Sequence, residues 1–350
     1  MRLIQDLKLL FNLAGYRIFK RRFPAHVAIS VTNRCNLKCS YCFARYNSQD
    51  SDVITTEKLL SLVDELHARG TRLINLTGGE PLIKKEIKAI VDHITLKKGI
   101  KCSISTNGLL LEDRIDDIKN VSSINISLDG NAEQHNRNRG EQSYEKILKA
   151  IEIAVGRKIP VSTCTVLNKD NVSCVDEIVQ LARKMDFLAI FHIPYGRLNA
   201  EENSRFNPLS REELRAVLRK IIDYKNAGYP IYYSDKTHNY IKDWPYDEPS
   251  GILKAADSPV MKDFKEIPCV AGDLYCFIDA NGDVYPCTVL SGQVKVLNFL
   301  HDGFQAAWDF LPGIRCRACS FFFQNELNLL LSLDIACWRN FISTARILRR

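Results

Sequence analysis

Three cysteines near the start of the chain, Cys35, Cys39 and Cys42, lie in the run CNLKCSYC. One short loop with this spacing can place three thiolates on one face of a cuboidal [4Fe–4S] cluster, whose fourth iron then stays open for an exchangeable ligand. Zinc is the alternative, although zinc sites more often show two CxxC pairs or mixtures of cysteine and histidine. The triplet therefore predicts an iron–sulfur centre with chemistry at its open iron.

A glycine turn with a carboxylate follows the next apolar run. Residues 73–76 lead into Thr77, Gly78, Gly79, Glu80 and Pro81. Two glycines let a ligand lie against bare backbone, and a carboxylate can accept a hydrogen bond from an ammonium group. The cysteine triplet followed by this GGEP turn resembles the radical S-adenosylmethionine (SAM) superfamily, and the resemblance extends over nearly the whole chain.

The resemblance implies specific roles for residues that follow the predicted strands. The three cysteines would hold the cluster, and the amino and carboxylate groups of SAM would occupy its fourth iron. The residues expected to contact SAM are Tyr41 near the adenine, Thr77, Gly78, Gly79 and Glu80 at the amino group, Ser105 and Asn107 after the next strand, Ser127 and Asp129 beside the ribose, and Arg139 at the carboxylate. Turn formation is the alternative role for serine and asparagine at such positions.

Strand and helix patterns alternate through the middle of the chain. Short runs rich in Val, Ile or Leu predict strands at 26–32, 72–77, 101–106, 121–128, 160–167 and 187–194, with helical periodicity between them, as at 55–69 and 143–157. Strands separated by single helices imply parallel βαβ units, which bind ligands at the carboxyl ends of the strands. Periodicity alone also permits an open flavodoxin-like sheet. The resemblance favours an α/β fold, a partial (β/α)6 TIM-like barrel with a small C-terminal iron–sulfur cluster domain.

A second group of cysteines follows an irregular bridging segment that contains Trp244-Pro245, Pro249-Ser250-Gly251 and Ser258-Pro259. Cys269 and Cys287 flank a hairpin pattern with an Asn281-Gly282 turn, and Cys316 and Cys319 form a CxxC pair. This half resembles the SPASM and twitch extensions of radical SAM enzymes, which carry auxiliary clusters. The resemblance implies one auxiliary [4Fe–4S] cluster on these four cysteines, with Cys276 and Cys337 as extra or alternative ligands. A structural zinc knuckle is the alternative.

The C-terminal half departs from the full SPASM pattern at two positions. Asn325 and Leu329 stand where two further cysteines would fall, which argues against a second auxiliary cluster bound entirely by thiolates. The predicted organisation is an N-terminal amphipathic helix at 1–25, a radical SAM partial barrel at 26–242, a bridging segment at 243–267, and the cluster domain with a C-terminal helix at 268–350.

The resemblance also implies a reaction. An electron delivered to the cluster would cleave SAM to methionine and a 5′-deoxyadenosyl radical, which abstracts hydrogen from an unactivated carbon. The auxiliary cluster would assist oxidation or bond formation on a peptide, lipid-linked or small-molecule substrate, and a reductant such as flavodoxin or ferredoxin would be a partner. A non-catalytic iron–sulfur or zinc scaffold is the alternative function.

Composition bounds the remaining choices. A chain of 350 residues with 46% hydrophobic and 25% charged residues can bury a large core, and its net charge of +7 does not require nucleic acid. Twelve cysteines without a cleavable signal pattern favour thiolate-bound metal in a reducing, cytoplasmic compartment over a disulfide framework.

The N-terminal segment also raises the question of a membrane contact. One helical face holds Leu3, Leu7, Leu10, Phe11, Ala14 and Ile18, with Lys8, Arg17, Lys20, Arg21 and Arg22 nearby. The tail repeats this mixture with Leu329, Leu330, Leu331, Leu333, Trp338, Phe341, Arg346, Arg349 and Arg350. Such segments can lie on an anionic membrane surface, here the inner face, or they can pack on the barrel. No apolar run reaches the roughly 18 residues needed to span a bilayer.

Overall fold

The computed structural model describes residues 2–39, 41–42, 52–194, 207–246, 251–254, 261–314 and 316–347. The side chains of Leu3 and Arg346, and the residues Arg349, Arg350, Pro249, Ser250, Ser258 and Pro259, lie outside the described part.

Ten strands and thirteen α-helices make up the described chain. The strands are β1 His26–Ser30, β2 Leu73–Thr77, β3 Lys101–Thr106, β4 Ser123–Ser127, β5 Val161–Val166, β6 Leu188–His192, β7 Ile252–Lys254, β8 Tyr275–Ile278, β9 Val284–Tyr285 and β10 Cys316–Cys319. The helices are α1 Arg2–Phe19, α2 Thr56–Ala68, α3 Ile87–Asp92, α4 Leu111–Arg114, α5 Ala132–Arg139, α6 Ser143–Gly156, α7 Val175–Met185, α8 Arg211–Asn226, α9 Asp235–Lys242, α10 Phe299–Asp302, α11 Phe304–Phe310, α12 Phe322–Leu331 and α13 Ile335–Ile347. The six predicted strands and both predicted helices are present, and their ends lie within two residues of the predicted ends.

The main sheet has the order β6-β5-β4-β3-β2-β1-β8-β9. Strands β1 to β6 lie side by side in chain order, and each adjacent pair is parallel. The pairs are parallel because a helix or a longer crossover returns the chain to the same end of the sheet each time. A flavodoxin-like sheet would instead reverse its strand order near the middle. The sequential order confirms the predicted α/β fold with a partial (β/α)6 barrel.

One face of β2, β3 and β4 is apolar and packs under the helices. Its side chains are fully buried in the main hydrophobic core, and they are Ile74, Leu76, Cys102, Ile104, Ile124 and Ile126. The alternate side chains lie on the other face, where the pairs Asn75↔Ser103, Ser105↔Asn125 and Ser127↔Cys164 are in register. The buried face of β5 is more polar, with Thr163 and Thr165 fully buried. Over β2 to β4 the barrel therefore has an apolar outer layer and a polar, half-buried interior.

The C-terminal hairpin extends the barrel sheet. Strand β8 pairs with β1 in parallel, with His26 beside Tyr275 and Ile29 beside Ile278, and β9 returns antiparallel to β8. Gly282 in the turn has φ +96°, and a Cβ there would lie 2.5 Å from Asn298 Oδ1. The predicted hairpin is present, but the sheet is continuous across the predicted boundary between barrel and C-terminal domain.

The C-terminal region adds a second small sheet, in which β10 pairs antiparallel with β7. Helices α12 and α13 follow, and α12 packs against α9 beside the barrel. Within the described residues, no helix combines the length and apolarity that crossing a membrane would need.

Candidate functional site

The glycine turn after β2 holds the cysteine loop that follows β1. Gly79 N donates to Thr32 O and Glu80 N donates to Arg34 O, both at 2.8 Å. A Cβ on Gly78 would lie 2.2 Å from Thr32 O, and a Cβ on Gly79 would lie 2.2 Å from Arg34 O. The glycines therefore allow this close approach of the protein's own loop, and contacts of Thr77, Gly78, Gly79 and Glu80 with SAM stay a prediction.

Glu80 links the ends of β2 and β3. Its carboxylate is fully buried, and Oε1 accepts from Leu82 N at 3.0 Å and from Thr106 Oγ1 at 2.7 Å. Oε2 accepts from Asn107 N at 2.7 Å. Burial raises the pKa of Glu80 in spite of these donors. A contact between Glu80 and the SAM amino group stays a prediction, and the geometry gives the carboxylate a positioning role in addition.

Asn107 connects this buried link to the cysteine loop. Its amide Nδ2 donates to Asn36 Oδ1 at 2.7 Å and lies 3.9 Å from Cys35 Sγ. Leu37 N also donates to Cys35 Sγ, at 3.4 Å. Amide donors around a thiolate stabilise its negative charge, so this arrangement suits a metal-bound Cys35 better than a protonated one.

The three thiols of the triplet lie within electrostatic reach of one another. Cys35 is exposed, while Cys39 and Cys42 are half-buried. Burial raises the pKa of Cys35 and raises that of Cys39 to about 11. Because metal binds the thiolate, cluster binding here must release protons. In the described part of the chain, no three Cys, His, Asp or Glu side chains converge on one metal ion. A cuboidal cluster instead binds each thiolate to a separate iron.

Tyr41, Asp129 and Arg139 form a buried polar group beside the cysteine loop. Asp129 Oδ2 accepts from the Tyr41 hydroxyl and from Arg139 Nε, the latter at 2.5 Å, and Arg139 donates to the Tyr41 hydroxyl at 2.6 Å. Burial raises the pKa of Tyr41, whereas the Asp129 carboxylate and its neighbours raise the pKa of Arg139 against the effect of burial. The structure thus brings together three residues predicted separately from the sequence, and Arg139 already has an anionic partner.

The second oxygen of Asp129 is the clearest sign of a missing ligand. Asp129 is fully buried, and among the described residues its Oδ1 has no hydrogen-bond partner. A buried carboxylate oxygen without a donor costs free energy, and a hydroxyl donor from a ligand would remove that cost. A ribose hydroxyl of SAM supplies such a donor. The three thiols and this carboxylate oxygen without a donor therefore fit an iron–sulfur cluster with SAM bound to it.

The remaining predicted SAM contacts lie at the same end of the barrel. Thr77 ends β2, and Ser127 is half-buried at the end of β4. Ser105 donates to Asn75 Oδ1 at 3.3 Å, and Ser103 donates to the same oxygen at 2.9 Å. Sequence reasoning missed Asn75 and Ser103. The alternation of polar and apolar residues in LINLT, KCSIST and SINIS was the signal that would have found them.

Four C-terminal cysteines come together at the opposite end of the strands. Cys269, Cys287, Cys316 and Cys319 all belong to a second hydrophobic cluster, and their thiols interact electrostatically. Burial raises the pKa of each of Cys269, Cys287 and Cys319. Cys269 precedes β8, whose first residue Tyr275 lies beside His26 at the amino end of β1. Cys287 follows β9, which ends opposite Phe277 of β8.

Polar groups surround this second group of cysteines, and of those named here the sequence pattern singled out only Asn325, as a missing cysteine. Tyr275 and Asn328 hydrogen-bond the Cys269 thiol, and Asn325 Nδ2 lies 3.9 Å from Cys319 Sγ. Asn325, at a position where the SPASM pattern has cysteine, also donates to Cys319 O and to Phe321 O at 2.8 Å. Donors to cluster sulfurs tune an iron–sulfur site. The departure from the cysteine pattern thus leaves a hydrogen-bond donor beside the Cys319 thiol.

The structure corrects the expected roles of Cys276 and Cys337. Cys276 alternates with Tyr275 on β8 and points to the opposite face, so its thiol lies in the main core and burial alone raises its pKa. Cys337 lies on α13, where its Sγ is 3.2 Å from Glu326 Oε1. Neither residue joins the group of four cysteines.

Comparisons with known proteins agree with this geometry. Residues 29–182 match the family model described as Radical SAM superfamily. A GTP 3′,8-cyclase of Rhizobium leguminosarum bv. trifolii is 31% identical over 223 residues, which cover 59% of this chain and 64% of that protein. An AdoMet-dependent heme synthase of Methanosarcina barkeri is 26% identical over 303 residues, 78% of this chain and 80% of that protein.

Two solved structures share the fold over most of the chain. Streptococcus suis SuiB bound to S-adenosylmethionine gives a TM-score of 0.67 at 18% identity and covers 86% of this chain and 69% of SuiB. The enzyme anSMEcpe with bound AdoMet gives 0.63 at 17% identity and covers 93% and 98% of the two chains.

Residues 29–182, a little under half of the chain, therefore resemble the radical SAM superfamily. This resemblance implies a [4Fe–4S] cluster and SAM as cofactors. The relatives reported above are enzymes, which supports the prediction of an enzyme over that of a scaffold. The match spans slightly less than two thirds of the GTP 3′,8-cyclase, 64% of its length.

Proposed function

We propose that the chain binds SAM at the carboxyl ends of β1 to β5 and cleaves it reductively to start hydrogen abstraction from a bound substrate. The observation that carries the proposal is the buried Asp129 carboxylate, whose Oδ1 lacks a donor within the described structure, held next to the cysteine triplet by Tyr41 and Arg139. When bound, the cluster and SAM supply one-electron cleavage and a 5′-deoxyadenosyl radical.

The chain's own residues have binding and positioning roles. Gly78 and Gly79 hold the loop that presents Cys35, Cys39 and Cys42. Glu80 fixes Asn107 beside Cys35, while Asp129 is available to orient a ribose hydroxyl. The polar interior offers Asn75, Ser103 and Asn125 as hydrogen-bond partners for a substrate, and the apolar outer layer excludes water from behind it.

We further propose that Cys269, Cys287, Cys316 and Cys319 hold one auxiliary [4Fe–4S] cluster that assists oxidation or bond formation. The two cysteine groups lie at opposite ends of β1, a strand of five residues. At about 3.3 Å per residue this strand is roughly 15 Å long. A substrate in the polar interior would therefore lie between the two groups.

The substrate class remains a choice among a peptide, a lipid-linked compound and a small molecule. One neighbour structure is SuiB bound to precursor peptide SuiA, and one relative is a GTP 3′,8-cyclase, so both peptide and small-molecule precedents exist. A low-potential reductant such as flavodoxin or ferredoxin is the proposed electron donor.

We expect Asp129→Asn to weaken SAM binding by about 10- to 100-fold, because a charge-assisted hydrogen bond is worth about 1.5–3 kcal/mol. Anaerobically reconstituted protein is titrated with SAM, and 5′-deoxyadenosine formed with dithionite is measured by mass spectrometry. Asp176→Asn is the matched control, since Asp176 also accepts from a tyrosine and a basic side chain, Tyr224 and Lys220, but on the surface. Equal SAM affinity in both variants would remove Asp129 from the site, and no 5′-deoxyadenosine from wild type would contradict the proposed function.

A further inference from the structure

Helix α1 is fixed to the protein by one of two apolar faces. Leu13 is fully buried in the second hydrophobic cluster, with Leu9 and Tyr16 partly buried against it. The Tyr16 hydroxyl donates to Asp273 Oδ2 at 2.8 Å. Just after the helix, the Arg22 guanidinium lies 3.1 Å from Asp273 Oδ1 and donates to Gly272 O at 2.8 Å. These contacts hold α1 to the loop that follows Cys269.

The opposite face of α1 is apolar and exposed. Leu7, Leu10, Phe11 and Ile18 are 57%, 42%, 79% and 69% exposed. A helix turns by about 100° per residue, which places Leu7, Phe11 and Ile18 on the side away from Leu13. Gly15 lies on this side too, and a Cβ there would meet no atom of the described residues within 4 Å. The predicted apolar face is thus the open one, and a different set of residues packs on the barrel.

Basic residues border the open face. Lys8 and Arg17 lie on its two sides, and Lys20 and Arg21 follow the end of the helix; all four are exposed. The sequence from 7 to 22 contains no aspartate or glutamate. An apolar stripe with cations along both borders is the arrangement of helices that lie in the plane of a membrane interface, because the stems of Lys and Arg reach outward to lipid phosphates.

We propose that this face of α1 docks the protein on an anionic phospholipid membrane. The apolar side chains enter the boundary between headgroups and acyl chains, and the cations neutralise phosphates. Charge favours a membrane over a second copy of this chain, since two copies meeting through this face would bring only like charges together. The cytoplasmic leaflet, which is rich in anionic lipid, is the surface that fits.

The proposal also orients the enzyme. Because Tyr16 and Arg22 bind Asp273 in the loop after Cys269, the membrane contact lies at the end of the barrel that holds the auxiliary cysteines. This orientation favours a lipid or lipid-linked substrate among the classes left open, a consequence that rests on the proposed function. The docking itself does not depend on the reaction.

Vesicle sedimentation tests the docking with the full chain. We expect wild type to pellet with vesicles of phosphatidylcholine and phosphatidylglycerol, and to do so less at high salt or with phosphatidylcholine alone. We expect two double variants to bind these vesicles with at least tenfold lower apparent affinity, measured from the bound fraction at limiting lipid. They are Phe11→Ser/Ile18→Ser and Arg17→Glu/Arg21→Glu. Both variants leave Leu13 and Asp273 in place.

The control removes an exposed leucine and an exposed lysine outside α1. Leu96 is 61% exposed and Lys97 beside it is exposed, so Leu96→Ser/Lys97→Glu should pellet as wild type does. SAM cleavage in solution should be unchanged in all three variants, which separates failure of docking from failure of the proposed function. The proposal would be overturned if wild type did not pellet, or if the α1 variants pelleted as much as the control variant. It would also be overturned if sedimentation velocity showed a wild-type dimer that Phe11→Ser/Ile18→Ser dissociates.

Discussion

Replacing Cys35, Cys39 and Cys42 together by alanine is expected to lower the iron content from about eight to about four atoms per chain and to abolish SAM cleavage. The reason is that the triplet and the group of four C-terminal cysteines lie at opposite ends of β1, so each would hold its proposed cluster independently. Iron and acid-labile sulfide are measured on protein reconstituted under nitrogen, and 5′-deoxyadenosine is measured after reduction.

Two control variants sharpen this prediction. Cys102→Ala changes a thiol buried in the outer core, and it should keep about eight irons and full SAM cleavage. Cys316→Ala/Cys319→Ala should lose the other four irons, about half, while SAM binding persists. Wild-type protein with about four irons, or with zinc in place of the remainder, would contradict the auxiliary cluster.

Gly79→Ala is expected to separate the cysteine loop from the turn that holds it. The new Cβ would lie 2.2 Å from Arg34 O and 2.7 Å from Asn33 O, and backbone atoms of this kind cannot move aside as a side chain does. We expect a loss of about 2–3 kcal/mol in stability and a drop to about four irons per chain, because the turn no longer holds the loop that carries the three cysteines. Thermal unfolding and iron analysis measure the two effects.

The matched control for this glycine is Gly156 at the end of α6. A Cβ at Gly156 would meet no atom within 4 Å, so Gly156→Ala should keep both iron content and stability, or slightly raise stability. If Gly79→Ala also retained about eight irons and the wild-type unfolding temperature, the loop would not depend on the turn in the way the hydrogen bonds indicate.

Period and spacing were sufficient to predict the strands and helices, whereas the choice of a barrel over an open sheet came from the resemblance. The predicted strands at 101–106 and 160–167 correspond closely to β3 and β5. The alternation of side chains between the two faces of each strand carried more information than the runs themselves. It separates Ile104, under the helices, from Ser103 and Ser105 in the interior, and it separates Cys276 from Tyr275 on β8.

Other features depended on contacts between distant segments, which no local pattern contains. The GGE turn predicted a glycine-dependent close approach, but the approaching group is the backbone at Thr32 and Arg34, more than forty residues earlier. Likewise, the pairing of β8 with β1 joins segments about 250 residues apart, so the hairpin was predictable and its place in the barrel sheet was not.

The same limit applied to the polar residues of the SAM site. Tyr41, Asp129 and Arg139 were predicted one by one from a resemblance, whereas their mutual hydrogen bonds leave a single carboxylate oxygen for a ligand. Burial of that oxygen is a property of the folded chain. It turns a list of candidate contacts into a geometric expectation for where the ribose binds.

The most direct test of the central claim is the electron paramagnetic resonance spectrum of dithionite-reduced Cys316→Ala/Cys319→Ala protein, recorded with and without SAM. This variant isolates the cluster of Cys35, Cys39 and Cys42. If SAM binds its open iron, adding SAM changes the g-values of the reduced [4Fe–4S] signal, and Asp129→Asn shifts that change to higher SAM concentration. A signal that saturating SAM leaves unchanged would contradict the account.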